Sequence, residues 1–184
     1  MENTLTAKQY FSLVDNHSKD MWELFRGVLR MAQGPLSEHQ KISGNIHLRL
    51  GNVFHRDEKI HIRYAPYDVT LNENTVVQPD ICVINDISRE TRRGYQGPPL
   101  VLIEILSASN DKYDKRDKFA LYEECGVQEY WIVDPWDKHV SVYCLTDGKY
   151  VLQGLYLEKD KFISKALFDL EIDNEEVFYR VIGY

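Results

Sequence analysis

Two acidic residues lie inside apolar stretches of the sequence, where a charged side chain needs a physical reason. Asp80 lies in the stretch 76–84, and Glu104 lies in the stretch 99–107, in which six of nine residues are Leu, Ile or Val. A buried carboxylate without a partner is costly, so it normally shifts its pKa, pairs with a cation or binds a metal. The two carboxylates, followed by the lysine-containing segment 111–125, predict a site for a divalent cation.

Simpler explanations exist for each of these residues taken singly. Asp80 follows Pro79 and could be a partly exposed residue near the start of a strand. Glu104 could form a structural ion pair with an arginine, since a buried glutamate is rare unless it is paired. Asp114 and Lys118 have the spacing of an exposed helical ion pair, which contributes only about 0.2–0.5 kcal/mol. The metal-site interpretation depends on Asp80 and Glu104 being present together.

The elements around these residues indicate a sheet with a strand–helix–strand crossover. The two apolar stretches have the length and composition of strands, and the second should be buried on both faces. The polar residues 86–97 between them, with three arginines and two glycines, predict an exposed loop. A helix over 111–125 ends at Gly126 and precedes the apolar strand 127–135. Such a crossover predicts that this last strand runs parallel to the strand of Glu104.

The rest of the chain supplies further helices and strands. A helix over 35–54 has apolar residues at helical spacing and carries Glu38 and His39, and a hairpin over 22–31 carries Glu23. The other predicted elements are a short helix at 6–14, strands at 60–64, 68–71, 140–145 and 149–157, and a closing helix at 173–181. This order predicts the α/β fold class, with a mixed central β-sheet flanked by helices.

The length of the chain bears on its number of domains, and its net charge bears on whether it binds nucleic acid. The 184 residues suit a single domain, with a core of about 20–150 and a C-terminal extension, a strand and a helix, at 151–184. The net charge of −7 and the pI of about 5.4 exclude a globally basic surface of the kind that binds nucleic acid non-specifically. A local basic patch or a phosphate contact bridged by a metal stays open.

The cysteines and the N-terminal segment bear on the compartment. Cys82, Cys125 and Cys144 are widely spaced and show no metal-ligand spacing, so we expect reduced thiols. No apolar signal core or run of membrane-spanning length is present. We therefore expect a cytoplasmic protein with no membrane association.

Several motifs together resemble a known family. Pro79-Asp80 and Glu104, in a strand that ends in Leu106-Ser107, are similar to the signature of the PD-(D/E)XK nuclease superfamily. The further motifs are Trp22-Glu23-Leu24 with Gly27, Glu38-His39, Asp114 with Lys118 and Tyr122, and the segment from Gly126 to Pro135. In this order and spacing they resemble the Uma-type family of putative restriction endonucleases, over roughly residues 6–150.

The resemblance implies a restriction-endonuclease-like core with a metal-dependent phosphodiesterase site. Asp80 and Glu104 would bind Mg²⁺ or Mn²⁺ together with the main-chain carbonyl of Ile105, because hard oxygen ligands suit these ions. The superfamily lysine usually lies two residues after the glutamate, where this chain has Leu106. The resemblance therefore places the catalytic lysine at Lys118 on the following helix.

The resemblance also suggests accessory residues. Glu38 and His39 lie where a residue of the first helix approaches the metal in this superfamily, although a polar pair at the core edge is an equal alternative. Asp114, four residues before Lys118, would share its helix face. We interpret Glu23 as structural, with a water-mediated metal contact as the alternative.

Other charged residues have simpler roles. Arg89, Arg92 and Arg93 could contact phosphate, but a solvated loop explains each of them singly. Asp134 precedes Pro135 at the end of a strand, which favours a turn or capping role.

These observations predict an Mg²⁺-dependent DNA endonuclease that acts as a homodimer, because cleavage of both strands needs two active sites. A second interpretation is a catalytically weak or inactive nuclease-fold protein with a binding or regulatory role, which the acidic charge and the missing strand lysine favour. A third is a metal hydrolase of small phosphodiesters. The sequence leaves open the preference for DNA or RNA and any recognition site.

Overall fold

The computed structural model describes residues 4–17, 21–31, 36–107 and 113–181, except for the side chains of residues 15–17 and 113–115. The α-helices of the described part are α1 (Ala7–His17), α2 (Ser37–Phe54), α3 (Phe119–Cys125) and α4 (Asn174–Val177). None of the helices in these ranges is both long and apolar enough to span a membrane.

The strands of the described part form two large sheets and a separate hairpin. In chain order they are β1 (Trp22–Phe25), β2 (Val28–Met31), β3 (His61–Tyr64), β4 (Val69–Asn72), β5 (Thr75–Val77), β6 (Ile81–Ile84), β7 (Glu90–Thr91), β8 (Gly94–Gln96), β9 (Val101–Ile105), β10 (Glu129–Asp134), β11 (His139–Thr146), β12 (Lys149–Leu157), β13 (Lys161–Ser164) and β14 (Leu170–Asp173). The first sheet has the order β2-β1-β5-β4-β8-β7, and the second sheet has the order β12-β11-β10-β9-β6-β3. Strands β13 and β14 pair only with each other.

The α/β fold class with mixed pairing is confirmed. Strands β9 and β10 pair in parallel on either side of the predicted crossover, while β6 pairs with β9 antiparallel. The first sheet is mixed as well, since β4 and β8 run parallel and its other pairs are antiparallel. The strands are therefore divided between two large sheets, whereas the sequence patterns suggested one.

The predicted strand 76–84 is two strands that belong to different sheets. Strand β5 lies in the first sheet and β6 in the second, and Gln78 to Asp80 connect them. Pro79 explains the break, because proline has no N–H to donate to a sheet ladder and restricts the backbone around it. Asp80 consequently lies in the bend just before β6 and not inside a continuous strand.

The segment 86–97 contains regular structure that the sequence patterns did not predict. A 3₁₀ turn at Ile87–Arg89 is followed by the short hairpin of β7 and β8, which joins the edge of the first sheet. Tyr95 in this hairpin is only 1% exposed. Strands of two and three residues are too short to show an alternating pattern in the sequence. Their pairing depends on the neighbouring sheet.

The predicted helix before Gly126 begins with a π-helical segment. Tyr113–Lys118 is π-helical and leads directly into α3, which ends at Gly126 with a φ of 83°. The predicted closing helix is shorter than expected, since α4 has only four residues and follows the hairpin of β13 and β14. Asp173 caps α4 by accepting a hydrogen bond from the N–H of Glu175.

The second sheet is covered on both faces. On one face it packs against α2, whose Ile42, Ile46 and Leu50 recur every four residues and are at most 2% exposed. On the other face it packs against α3 through Leu121 and Tyr122. Along β9, Val101, Ile103 and Ile105 belong to the α2 face and Leu102 and Leu106 to the α3 face, so alternation directs Glu104 towards α3.

Candidate functional site

Asp80 and Glu104 lie at the same end of the second sheet, Asp80 in the bend before β6 and Glu104 within β9. Strands β6 and β9 pair antiparallel as far as Ile81 opposite Ile103, and the Asp80 carboxylate, just before that pair, accepts a hydrogen bond from the N–H of Ile105. Every residue of β9 is buried, and Glu104 is only 3% exposed. The two carboxylates therefore lie at the same end of the sheet, although their sequence positions are 24 residues apart.

The Asp80 carboxylate is held by two donors from different elements. Its Oδ2 atom accepts a hydrogen bond from the backbone N–H of Ile105 at 2.7 Å and lies 3.0 Å from Nε2 of His39 on α2. The side chains of Asp80 and His39 are 16% and 13% exposed. These two contacts fix the orientation of the carboxylate and leave it accessible at the edge of the sheet.

The Glu104 carboxylate contacts an ammonium and a hydroxyl group that belong to the helical segment after β9. Its Oε1 atom lies 2.9 Å from Nζ of Lys118 and accepts a hydrogen bond from the hydroxyl of Tyr122 at 2.6 Å. Burial, followed by the Glu104 carboxylate, raises the pKa of Tyr122 well above its usual range. Tyr122 is therefore protonated at neutral pH and acts as a donor.

Lys118 and Tyr122 reach Glu104 because the helical segment presents them on one face. They are four residues apart, at the junction where the π-helical segment leads into α3. The ammonium of Lys118 is buried, at 5% exposure for the residue, and does not point into solvent. The structure therefore brings the predicted helix-borne lysine to the Glu104 carboxylate.

A third carboxylate faces the same ammonium. The Oε1 atom of Glu23, on β1 of the first sheet, lies 3.5 Å from Nζ of Lys118 and accepts a hydrogen bond from the N–H of Gln78 at 2.8 Å. Glu23 is 5% exposed. Sequence reasoning gave this residue a lesser role, and the available signal was a glutamate inside the otherwise apolar strand β1.

The remaining predicted site residues take different places. Ile105 follows Glu104 and is bound to Asp80 through its N–H. Glu38 lies partly buried in the first turn of α2, next to His39. Asp114 lies in the π-helical segment, and its side chain is outside the described residues.

Two arginines of the segment 86–97 contact aromatic residues: Arg89 contacts one on β8, and Arg93 contacts one on helix α1. The guanidinium of Arg89 lies 5.6 Å from the ring centre of Tyr95, and that of Arg93 lies 5.0 Å from the ring centre of Phe11. Arg93 also donates to the carbonyl of Phe11 at 3.4 Å. These contacts fit the solvated-loop interpretation better than convergence on the carboxylates of the second sheet.

A second group of metal-binding residue types occurs in the turn between β10 and β11. Ligand atoms of Asp134, Asp137 and His139 lie within 4.8 Å of one another. The Oδ1 atom of Asp134 accepts hydrogen bonds from the N–H groups of Trp136 and Asp137 at 2.9 and 3.1 Å. Asp134 therefore has the turn role that its place before Pro135 indicates.

The donor set at Asp80 and Glu104 fits a hard divalent cation. Two carboxylates at adjoining strand ends supply oxygen ligands of the kind that Mg²⁺ and Mn²⁺ prefer. The Glu104 carboxylate is shielded from bulk water, which strengthens its interaction with a cation. Lys118 adds a fixed positive charge beside them, so the site combines anionic ligands with a group able to bind an anion.

The comparisons with known proteins bear on the family and the fold of the chain. A family model described as "Uma2: Putative restriction endonuclease" matches residues 7–175, which extends beyond residue 150, where the sequence resemblance ended. No curated protein matches the chain. A crystal structure from Anabaena variabilis, described as a putative nuclease belonging to DUF820, has 18% sequence identity and a TM-score of 0.79, covering 97% of this chain and 99% of that one. At this identity the structural match establishes the fold alone.

Proposed function

The chain belongs to the Uma2 family of restriction-endonuclease-like proteins, and from this membership we propose that it is a metal-dependent endonuclease that hydrolyses phosphodiester bonds in DNA. One observation carries the proposal. The ammonium of Lys118 lies 2.9 Å from the buried Glu104 carboxylate, in the strand pair that also positions Asp80. Phosphoryl chemistry needs mostly positioning and charge neutralisation, so two carboxylates and one ammonium can suffice.

Asp80, Glu104 and the main-chain carbonyl of Ile105 are the groups that would hold Mg²⁺ or Mn²⁺. A bound cation of this kind supplies an acidified water and neutralises negative charge on the scissile phosphate. The N–H of Ile105 and the imidazole of His39 keep Asp80 oriented for this role. His39 is thus an accessory residue that acts through Asp80, and Glu38 and Asp114 stay as further accessory candidates.

Lys118 replaces the lysine that the superfamily usually carries on the strand. Leu106, at the strand position, is only 1% exposed and belongs to the α3-side core. The ammonium of Lys118 reaches Glu104 from the helix instead and would stabilise charge on the phosphate or orient the attacking water. Tyr122 positions Glu104 by its hydrogen bond to the same carboxylate oxygen.

The wider setting of the activity is also part of the proposal. Cleavage of both DNA strands needs two such sites, so we propose a homodimer, whose mass light scattering would measure. The three free cysteines, Cys82, Cys125 and Cys144, suit the reducing cytoplasm. The net charge of −7 implies that DNA contact is local and assisted by the divalent cation.

Nicking of supercoiled plasmid in Mg²⁺, together with Mn²⁺ titration, tests the proposal. We expect both Asp80→Asn and Glu104→Gln to lose Mn²⁺ binding. In both variants the rate of nicking should fall by roughly 10²–10³-fold. Lys118→Met should lose nicking by a similar factor but retain Mn²⁺ binding. Glu171→Gln, a charge-matched change at an exposed residue that pairs with Lys161, should behave like the unsubstituted chain.

Three results would contradict the proposal. Nicking that survives in Asp80→Asn would exclude the predicted ligand set. DNA binding that is independent of metal and unaccompanied by cleavage would favour a nuclease-fold binding protein. Hydrolysis of a small phosphodiester such as bis(p-nitrophenyl) phosphate, with plasmid left intact, would indicate a metal hydrolase with a different substrate.

A further inference from the structure

We propose that Glu23 is a positioning residue that shares the ammonium of Lys118 with Glu104 and thereby makes the Glu104 carboxylate available to a divalent cation. This inference rests on the proposed function and deepens it. It assigns a role in metal binding to a residue on the first sheet, away from the strands that carry the metal ligands.

The geometry places the ammonium between two buried carboxylates. Nζ of Lys118 lies 2.9 Å from Oε1 of Glu104 and 3.5 Å from Oε1 of Glu23. The side chains of all three residues are at most 7% exposed. The ammonium can therefore move towards Glu23 by a small rotation of its own side chain, without leaving the buried site.

Glu23 is fixed in this position by the backbone. Its Oε1 atom accepts the N–H of Gln78, two residues before Asp80, at 2.8 Å. The Oε1 atom of Glu23 thus has two contacts. One is with the backbone two residues before Asp80, and the other is with the Lys118 ammonium, which also contacts Glu104. This arrangement couples Glu23 to both sides of the site.

Charge explains why a second carboxylate matters. Asp80, Glu104 and Glu23 each supply a carboxylate, and the Lys118 ammonium contacts the carboxylates of Glu104 and Glu23. An ammonium and a metal ion repel each other and compete for the Glu104 oxygens. A buried ammonium that loses its carboxylate partner is strongly unfavourable, and Glu23 provides a partner when the metal takes Glu104.

A purely structural role for Glu23 can be separated from this one. Glu23→Gln keeps a side-chain oxygen that can accept the N–H of Gln78, but it removes the charge that faces Lys118. If Glu23 serves only to attach β1 to Gln78, the variant should bind metal as the unsubstituted chain does. Glu124→Gln is the charge-matched control, because Glu124 is an exposed residue paired with Arg26.

Calorimetric titration with Mn²⁺ of the complete chain tests the proposal in two backgrounds. We expect Glu23→Gln to weaken Mn²⁺ binding about tenfold, equivalent to one pKa unit of interaction, and Glu124→Gln to leave it unchanged. In the Lys118→Met background there is no ammonium to displace, so Glu23→Gln should weaken binding by less than about threefold. Nicking by Glu23→Gln should recover at saturating Mn²⁺, whereas Glu104→Gln should not recover.

Each contrary result has a distinct meaning. An unchanged Mn²⁺ affinity in Glu23→Gln would overturn the inference and leave Glu23 with a structural role. Equal weakening in both backgrounds would overturn it in favour of a direct or water-mediated metal contact. Failure of the unsubstituted chain to bind Mn²⁺ would overturn the proposed function and this inference together.

Discussion

The side-chain hydroxyl groups of Tyr122 and Tyr150 are both buried but have opposite environments. The hydroxyl of Tyr122 donates to the Glu104 carboxylate at 2.6 Å. The hydroxyl of Tyr150 is buried and has no hydrogen-bond partner among the described residues. A hydrogen bond to a charged group contributes about 1.5–3 kcal/mol, while an unsatisfied buried polar group costs about 1–3 kcal/mol. The same chemical change at these two positions should therefore have opposite effects on stability.

We expect Tyr122→Phe to lower the free energy of unfolding by about 1.5–3 kcal/mol, because it removes a charge-assisted hydrogen bond. Tyr150→Phe should leave that free energy unchanged or raise it by up to about 1 kcal/mol. Urea unfolding followed by tryptophan fluorescence measures both values. Equal losses in the two variants would show that Tyr150 has a partner in solution.

Three tyrosines that are wholly or partly buried also predict a response to alkaline pH. Burial is the largest cause that raises the pKa values of Tyr10, Tyr122 and Tyr150 above the usual 10.0. A raised pKa in the folded state means that the folded chain holds these protons more tightly than the unfolded chain. The stabilisation is complete below the unfolded pKa of about 10 and is lost as the pH rises above it.

The free energy of unfolding should therefore be insensitive to these tyrosines at neutral pH and decrease above about pH 10. Urea unfolding at a series of alkaline pH values measures the slope, and Tyr150→Phe should make it shallower. Tyr179→Phe is the control, because Tyr179 is 57% exposed. A slope that is the same in all three proteins would argue against Tyr150 as one of its sources.

At the scale of single elements, a glycine at the end of one helix and a glycine inside another differ in whether their backbone conformation requires glycine. Gly126 ends α3 with a φ of 83°, a conformation that is unfavourable for any residue with a Cβ atom. Gly44 lies on the exposed side of α2, and a Cβ atom built there would have no other atom within 4 Å. Space is open at both positions, so backbone conformation alone distinguishes them.

Gly126→Ala should lower the free energy of unfolding by about 1 kcal/mol, because alanine is strained at positive φ. Gly44→Ala should raise it by about 0.5–1 kcal/mol, because alanine favours the helix and restricts the unfolded chain. The matched pair can be compared by urea unfolding under identical conditions. Stabilisation by Gly126→Ala would mean that α3 ends differently in solution.

The elements also show which features could be read from the sequence. The Glu104 strand was recognisable because six of its nine residues are Leu, Ile or Val, and Gly126 marked the end of the helix that follows. The break at Pro79 was visible in principle, but its consequence was not, since only tertiary pairing assigns β5 and β6 to different sheets. The hairpin of β7 and β8 was missed because its strands have two and three residues.

The candidate site was predictable to a similar extent. Asp80, Glu104 and Lys118 carried a signal through their apolar surroundings and the resemblance to a family. The contact between Lys118 and Glu23 carried none, because the residues are 95 positions apart and no local pattern relates a strand of one sheet to a helix beside another. Contacts of this kind depend on how the two sheets pack, which the sequence patterns do not specify.

At the scale of the whole molecule, the C-terminal region is part of the main core. Phe162, Ile172 and Phe178 are buried in the same cluster as α2 and the second sheet. Glu129 on β10 is fully buried and accepts hydrogen bonds from Ser164 at 2.6 Å and from the N–H of Ala166 at 3.0 Å. The proposed boundary at residue 151 therefore separates two parts of the sequence that share one hydrophobic core.

A chain that ends at residue 150 should consequently fail to fold. It would expose the α2-side core, remove the edge contact of Phe162 with Trp131, and leave the Glu129 carboxylate without the two C-terminal donors. Circular dichroism and urea unfolding of the truncated and complete chains test this expectation. A cooperative unfolding transition in the truncated chain would show that residues 1–150 are an independent unit.

The break at Pro79 has a consequence for heat resistance. Because Gln78 to Asp80 join the two sheets, groups from both sheets meet around Lys118: Glu23 comes from the first and Glu104 from the second. Local opening of the first sheet would withdraw Glu23 while the second sheet stays intact. If the proposed function holds, heating should abolish nicking of plasmid before it abolishes the secondary structure measured by circular dichroism, because the proposed site needs groups from both sheets.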